Sequence, residues 1–204
     1  MSIYHNNFIA NLAKDFTTSA VMPDNSINDK FNLKDYANKR NCIIFFYPLA
    51  FTFVCPSEII SINNKIEQFK KSNSVVLTVS VDSSFTNLAW KKSLIQEIGI
   101  KNIEYPMASD LDKSISSNYD VLNKDGIDFR ATFIIDDTFT IRHLSINDLP
   151  IGRDIDEALR IIDAINYNKE HGDLCPAGWK KGKPSMKASG EATKVFLQKN
   201  QSSL

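Results

Sequence analysis

No stretch of the chain is apolar for long enough to cross a bilayer. The longest unbroken run, Cys42 to Tyr47, falls far short of the roughly 20 residues a spanning helix needs. The opening residues, Met1-Ser2-Ile3-Tyr4-His5-Asn6-Asn7-Phe8, have neither a basic start nor a sustained apolar stretch. A secretory signal is therefore not expected, and a cytoplasmic location is the default expectation. Neither charge is in surplus: 24 Lys and Arg face 24 Asp and Glu, for a formal net charge of +0 and a pI near 6.8. That balance leaves no strong field to draw phosphate backbones or anionic lipid, so neither nucleic acid nor a membrane is an expected partner. Cysteine is scarce. Cys42, Cys55 and Cys175 form no C-x-x-C pair, and the histidines His5, His143 and His171 are scattered. This spacing weighs against a zinc site or a dithiol centre, and no metal or cofactor is expected. One of three cysteines stays unpaired under any intrachain pairing, and a reducing compartment disfavours structural disulfides. One or two of them are then chemically active or simply buried. There is no internal repeat and no low-complexity tract.

What is present suffices for one domain with a short appendage: 204 residues, 43% of them hydrophobic. Cys42 to Tyr47 reads as a fully buried strand ending at Pro48, and Val75 to Val81 as a second. Between them Ile59, Ile62, Ile66 and Phe69 recur at helical spacing, predicting an amphipathic helix over 57–71. Strand, helix, strand makes a βαβ unit. Helices are expected over 85–98 and, more weakly, 113–119, with a short strand over 105–108. Ala131 to Ile135 and Thr140 to Ile146 flank Asp136-Asp137 as a hairpin. A helix over 155–166 carries Ile155, Leu159, Ile162 and Ile165 on one face. The series predicts a thioredoxin-like α/β fold, a central mixed sheet flanked by helices. Beyond His171 the composition turns to Gly, Lys, Pro and Ser. The expected division is a domain over residues 1–168 and a C-terminal tail over 169–204, with a last helix near 191–198.

Cys55 directly follows this first βαβ strand and its loop, with Pro56 at a favoured first-turn position and Glu58 in the same turn. Its sulfur is thus expected at a helix N-terminus. Unsatisfied N–H groups and the positive end of the helix dipole favour the thiolate there, which is the nucleophilic form. A buried structural cysteine is the alternative from position alone. The wording around it decides: Phe45-Phe46-Tyr47-Pro48-Leu49-Ala50-Phe51-Thr52-Phe53-Val54-Cys55-Pro56 resembles the peroxidatic-cysteine segment of the peroxiredoxins, with the pattern P-x-x-x-T-x-x-C. His171-Gly172-Asp173-Leu174-Cys175-Pro176-Ala177-Gly178-Trp179 is similar to the resolving segment of typical two-cysteine members, the alkyl hydroperoxide reductase C-subunit type. The stretches around Phe129-Arg130-Ala131 and Asn147 to Arg153 also resemble family segments.

The resemblance implies a thiol-dependent peroxidase acting on hydrogen peroxide and small organic hydroperoxides. It assigns Cys55 as the attacking thiolate, Thr52 as the hydroxyl that orients the peroxide, and Pro48 as a shield against water. Arg130 would hold thiolate and peroxide, with Glu58 and Arg153 as its supporting shell. A fixed guanidinium favours a neighbouring thiolate and stabilises charge moving onto a leaving oxygen, so this role also makes physical sense. Cys175 would pair with Cys55 of a second subunit. The implied partners are thioredoxin or a flavoprotein disulfide reductase as electron donor, and a second copy in a homodimer that can build a decamer. Cys42, opening a buried strand without a motif, is expected to be an apolar filler. A Cys–His hydrolase using His143 is the rival enzyme reading, and a holdase-like oligomer is the rival from another class. Phe85, Leu88 and Trp90 resemble the region where family dimers meet, yet have the spacing of a plain core helix. The chain also departs from the pattern. It has Ala50 where the family usually has Asp, and the two motifs of peroxide-sensitive members are incomplete at Gln96-Glu97-Ile98-Gly99 and Val195-Phe196.

Overall fold

The computed structural model describes residues 8–201. They fall into two compact units, one running to Ile155 and one starting at Asp156. The first opens with a hairpin, β1 (Thr17–Val21) and β2 (Ile27–Asn32), turned at Asn25 in the left-handed region with φ 68°. Asn32 caps the short helix α1 (Leu33–Ala37) by accepting the Asp35 N–H. There follow β3 (Asn41–Phe46), α2 (Cys55–Asn64), α3 (Ile66–Lys71), β4 (Ser74–Ser80), α4 (Ser84–Lys92), β5 (Met107–Ser109), α5 (Ser114–Asn118), β6 (Arg130–Ile135) and β7 (Ile141–Asn147). The strands form one seven-stranded sheet in the order β2-β1-β5-β4-β3-β6-β7. The β3–β4 and β4–β5 pairs are parallel and the others antiparallel, which gives the expected mixed sheet flanked by helices.

β3, β4 and β6 are buried along their whole length, as central strands with both faces covered must be. Side chains alternate between faces. Cys42, Ile44 and Phe46 of β3, Val75, Leu77 and Val79 of β4, and Ala131, Phe133 and Ile135 of β6 share one apolar cluster with Phe31, Leu33 and Tyr119. The intervening residues, Phe45 and Tyr47 beside Arg130 and Thr132, therefore belong to the opposite face. That face carries the polar groups described below, and Cys42 stands on the other one.

Two expected helices are interrupted. The stripe over 57–71 is split at Lys65, with φ −109° and ψ 6°, whose N–H reaches back only to Ile62. Ile59, Ile62, Ile66 and Phe69 are all buried even so, because a one-residue break preserves the stripe. The helix expected over 85–98 stops at Lys92, and a 3-10 turn over Ile95–Glu97 leads to Ile98 in the left-handed region.

The second unit holds α6 (Ile155–His171) and α7 (Gly190–Asn200). α6 runs five residues past the expected Asn166 and ends at Gly172, with φ 69°, whose N–H bonds the Asn168 carbonyl at 2.7 Å. Tyr167 packs its ring against His171 and the buried Trp179. Leu174 and Met186 exchange backbone hydrogen bonds of 2.8 and 3.1 Å, so the segment bearing Cys175 is ordered by its own small bridge. None of α7's side chains is buried. Among the described residues no helix is long and apolar enough to cross a membrane.

Candidate active site

Cys55 is the first residue of α2, Pro56 occupies the first turn, and the preceding Val54 offers no capping side chain. The N–H groups of Ser57 and Glu58 donate to the Val54 carbonyl at 3.1 and 3.4 Å, and no side chain caps the turn. Buried positions Cys55, Glu58, Ile59 and Ile62 recur at helical spacing, so the thiol and the carboxylate share the face of α2 turned inward. Cys55 has no exposed surface, and Glu58 is 3% exposed.

Arg130, at the start of β6 and 4% exposed, meets both. Its Nη1 donates to Glu58 Oε2 at 2.8 Å and to Cys55 Sγ at 3.4 Å, and its Nε donates to the Leu149 carbonyl at 2.7 Å. Arg153 grips the other side of Glu58. Its backbone N–H and Nε donate to Oε1 at 2.9 Å each, and its Nη2 donates to Oε2 at 3.0 Å. Arg153 also donates Nη1 to the Ala131 carbonyl at 2.7 Å and lies over the Phe45 ring at 5.2 Å. Buried charges of this kind persist only when paired and hydrogen-bonded, and Glu58 accepts four bonds. The count of charge is uneven: two guanidinium ions face one carboxylate. A thiolate at Cys55 makes the buried group neutral.

Pro48 is buried directly after β3. Thr52 is partly exposed and donates its hydroxyl proton to the Leu49 carbonyl at 2.8 Å, which leaves its oxygen as an acceptor. The structure thus brings Cys55, Glu58, Arg130 and Arg153 into one hydrogen-bonded cluster, with Pro48 and Thr52 in the loop that delivers Cys55. Cys175 belongs to the second unit, where its Sγ lies 3.7 Å from the Ala164 carbonyl. His143 of β7 pairs in register with Ile134 of β6, and the polar partner of Cys55 is Arg130 rather than a histidine. Cys42 is fully buried, and burial pushes its thiol up to about 12. Of the presumed contact residues, Phe85 is exposed, Leu88 half-buried and Trp90 buried with its indole N–H on the Ile98 carbonyl. Ala50 donates its N–H to Asp82 at 2.8 Å, and nothing in the structure explains the missing aspartate.

Sequence reasoning overlooked two members of the site. The Leu149 carbonyl orients Arg130, and the Tyr105 hydroxyl donates to the Ile59 carbonyl at 2.8 Å, tying down α2. The first acts through its backbone and leaves no trace in residue identity. The second is a tyrosine in a short strand-like segment, and a buried phenol in need of a partner was the available signal.

Comparisons with known proteins give the family. The model of the AhpC/TSA family matches residues 9–144, and that of the C-terminal domain of 1-Cys peroxiredoxin matches residues 164–199, a segment that here contains Cys175. The chain is 42% identical to alkyl hydroperoxide reductase C of Helicobacter pylori, over 94% of this chain and 97% of the relative. It is 45% identical to peroxiredoxin-2 of Mus musculus, over 94% and 96%. The reduced 2-Cys peroxiredoxin of Plasmodium vivax superposes with a TM-score of 0.91 at 45% identity, covering 94% of this chain and 99% of that one. A thiol sealed under a guanidinium, on a thioredoxin-like sheet matched along nearly its whole length, makes this chain a member of the AhpC/TSA family and a thiol-dependent peroxidase, a peroxiredoxin.

Proposed function

We propose that the chain reduces hydrogen peroxide and small organic hydroperoxides with Cys55 as the peroxidatic thiolate and Cys175 of a second copy as the resolving thiol. The observation that carries this is Arg130 Nη1 at 3.4 Å from Cys55 Sγ, locked by Glu58 and Leu149. The thiolate attacks one peroxide oxygen. An S–O bond forms, the O–O bond breaks, and the departing alkoxide or hydroxide takes up a proton. Arg130 is already in place where charge moves from sulfur to the leaving oxygen, so no reorganisation is needed during the step. Thr52, its proton committed to Leu49, accepts the peroxide's hydrogen bond, and Pro48 limits water at the sulfur. Glu58 and Arg153 hold Arg130 in register.

The Cys55 sulfenic acid then condenses with Cys175 of the partner copy, releasing water. An external dithiol, thioredoxin or a flavoprotein disulfide reductase, restores both thiols by exchange. The test is a non-reducing gel after one equivalent of peroxide, with Cys55 and Cys175 each changed to serine. The expected product of the parent chain is a disulfide-linked dimer, and either substitution abolishes its doubly linked form. An exclusively monomeric Cys55–Cys175 product would refute the intersubunit pairing. A holdase acting without thiol chemistry would give no peroxide-dependent product at all.

A further inference from the structure

Cys175 has a charged neighbour that the chemistry at Cys55 does not use. Its Sγ rests by the carbonyl of Ala164, and Arg160 lies four residues earlier on α6, hence on the same face one turn away. The guanidinium is held at both ends. Nε and Nη2 donate to the Glu157 carboxylate at 2.6 and 2.7 Å, and Nη1 donates to the Trp179 carbonyl at 2.9 Å. Trp179 is 2% exposed and its N–H returns to the Pro176 carbonyl at 3.0 Å. Arg160 therefore clamps the Pro176–Trp179 turn that directly follows Cys175. The charged groups facing the thiol act in opposite senses. Burial pushes Cys175 up, Arg160 draws it down, and Asp173 pushes it up again. Asp173 is itself engaged by Lys187 and by the Ser185 hydroxyl.

We propose that Arg160 is a positioning residue for disulfide formation: anchored by Glu157 and by the Trp179 carbonyl, it fixes the turn that follows Cys175 and presents its charge on the face of α6 where the thiol rests. This rests on the reading of Cys175 as the resolving thiol. In that step the Cys175 thiolate attacks the Cys55 sulfenic sulfur. The S–S bond forms as the S–O bond breaks, and the hydroxide that leaves takes up a proton to become water. The oxidising equivalents are those already delivered by the peroxide.

The test follows sulfenic acid formation and disulfide formation separately by rapid mixing across the pH range in which a thiol titrates, for the parent chain, Arg160→Gln and Arg160→Lys. In Arg160→Gln the first phase is expected unchanged. The second is expected about three- to tenfold slower near neutrality, its midpoint raised by roughly half to one pH unit, with only partial recovery at alkaline pH because the clamp on the turn is lost together with the charge. Arg160→Lys keeps the midpoint but not the full rate, since an ammonium cannot hold Glu157 and Trp179 together. In the parent chain, salt at about 1 M, where the screening length falls to roughly 3 Å, should raise the midpoint too, a measurement that needs no variant to fold. Uniform slowing at every pH, or a midpoint indifferent to both Arg160→Gln and salt, overturns the role. A parent chain that forms no Cys55–Cys175 disulfide overturns the underlying reading instead.

Discussion

Arg130 divides its donors among a thiol, a carboxylate and a backbone carbonyl, and no other residue type presents that fork. Arg130→Ala should slow peroxide reduction by about two to three orders of magnitude, the scale for losing one pre-organised electrostatic donor. Arg130→Lys should recover only part of it, because a point charge cannot reach all three acceptors. Stopped-flow second-order rates decide the matter, and a near-parental rate in the alanine variant would discard the role. Cys42 supplies the contrast within the same chain. With its thiol up at about 12 and no exposed surface, it should stay unlabelled by iodoacetamide at pH near 8 in the folded protein, as read by peptide mass spectrometry. Cys42→Ser should leave the peroxide-induced dimer intact. The thiol after a strand and the acid one turn on were legible from their position, whereas Arg130, at the start of β6, and Arg153, in a loop, took their roles from the resemblance to family segments. The Leu149 carbonyl was not legible, since every residue has one.

The elements were read well where a hydrophobic period was strong and poorly where it was shared. β3, β4 and β6 announce themselves as β-branched runs because both their faces are covered. β1 is buried only at its end and β2 is half exposed, with no alternation in either, and so both escaped notice. Their residues look like loop until β5 pairs with β1. The loop after α4 shows a local rule overriding a helical period. Ile98 adopts φ 59° and Gly99 packs its α-carbon against the preceding turn. A Cβ at Gly99 would come within 2.1 Å of the Ser93 carbonyl oxygen, and that contact is with backbone. Gly99→Ala should therefore cost about 1–3 kcal/mol, the range for forced overpacking. Urea unfolding followed by circular dichroism measures it, and an unchanged midpoint would show that the loop yields freely. This stretch is one of the two incomplete motifs of the peroxide-sensitive members, yet the glycine that ends it is the one the backbone requires.

The stability of the whole molecule should carry the signature of a single buried acid. Asp128 has no exposed surface, and neither carboxylate oxygen has a hydrogen-bond partner. The nearby Ser116 hydroxyl is committed to Asp110 at 2.6 Å. Burial chiefly, reinforced by the charges of Asp110 and Asp82 and opposed by that of Lys113, raises Asp128 from 3.8 to about 8. A carboxyl raised on folding leaves its favourable contribution intact below its unfolded value and removes it as pH climbs through the folded one. Stability should thus decline from about pH 4 towards about pH 8 through this group. Asp128→Asn should flatten that decline and stabilise the protein at the upper end, as urea midpoints across the interval would report. A variant that tracks its parent at every pH would sink the assignment. Cys55, sealed at the opposite face of the sheet from Cys42, has a different molecular consequence. A sulfur without exposed surface reacts only as often as its cover parts, and wider reagents need wider and rarer openings. The protein thereby sorts electrophiles by girth before their chemistry is tried, so this sulfur can stand among the bulky reactive metabolites of a cell and ignore most of them.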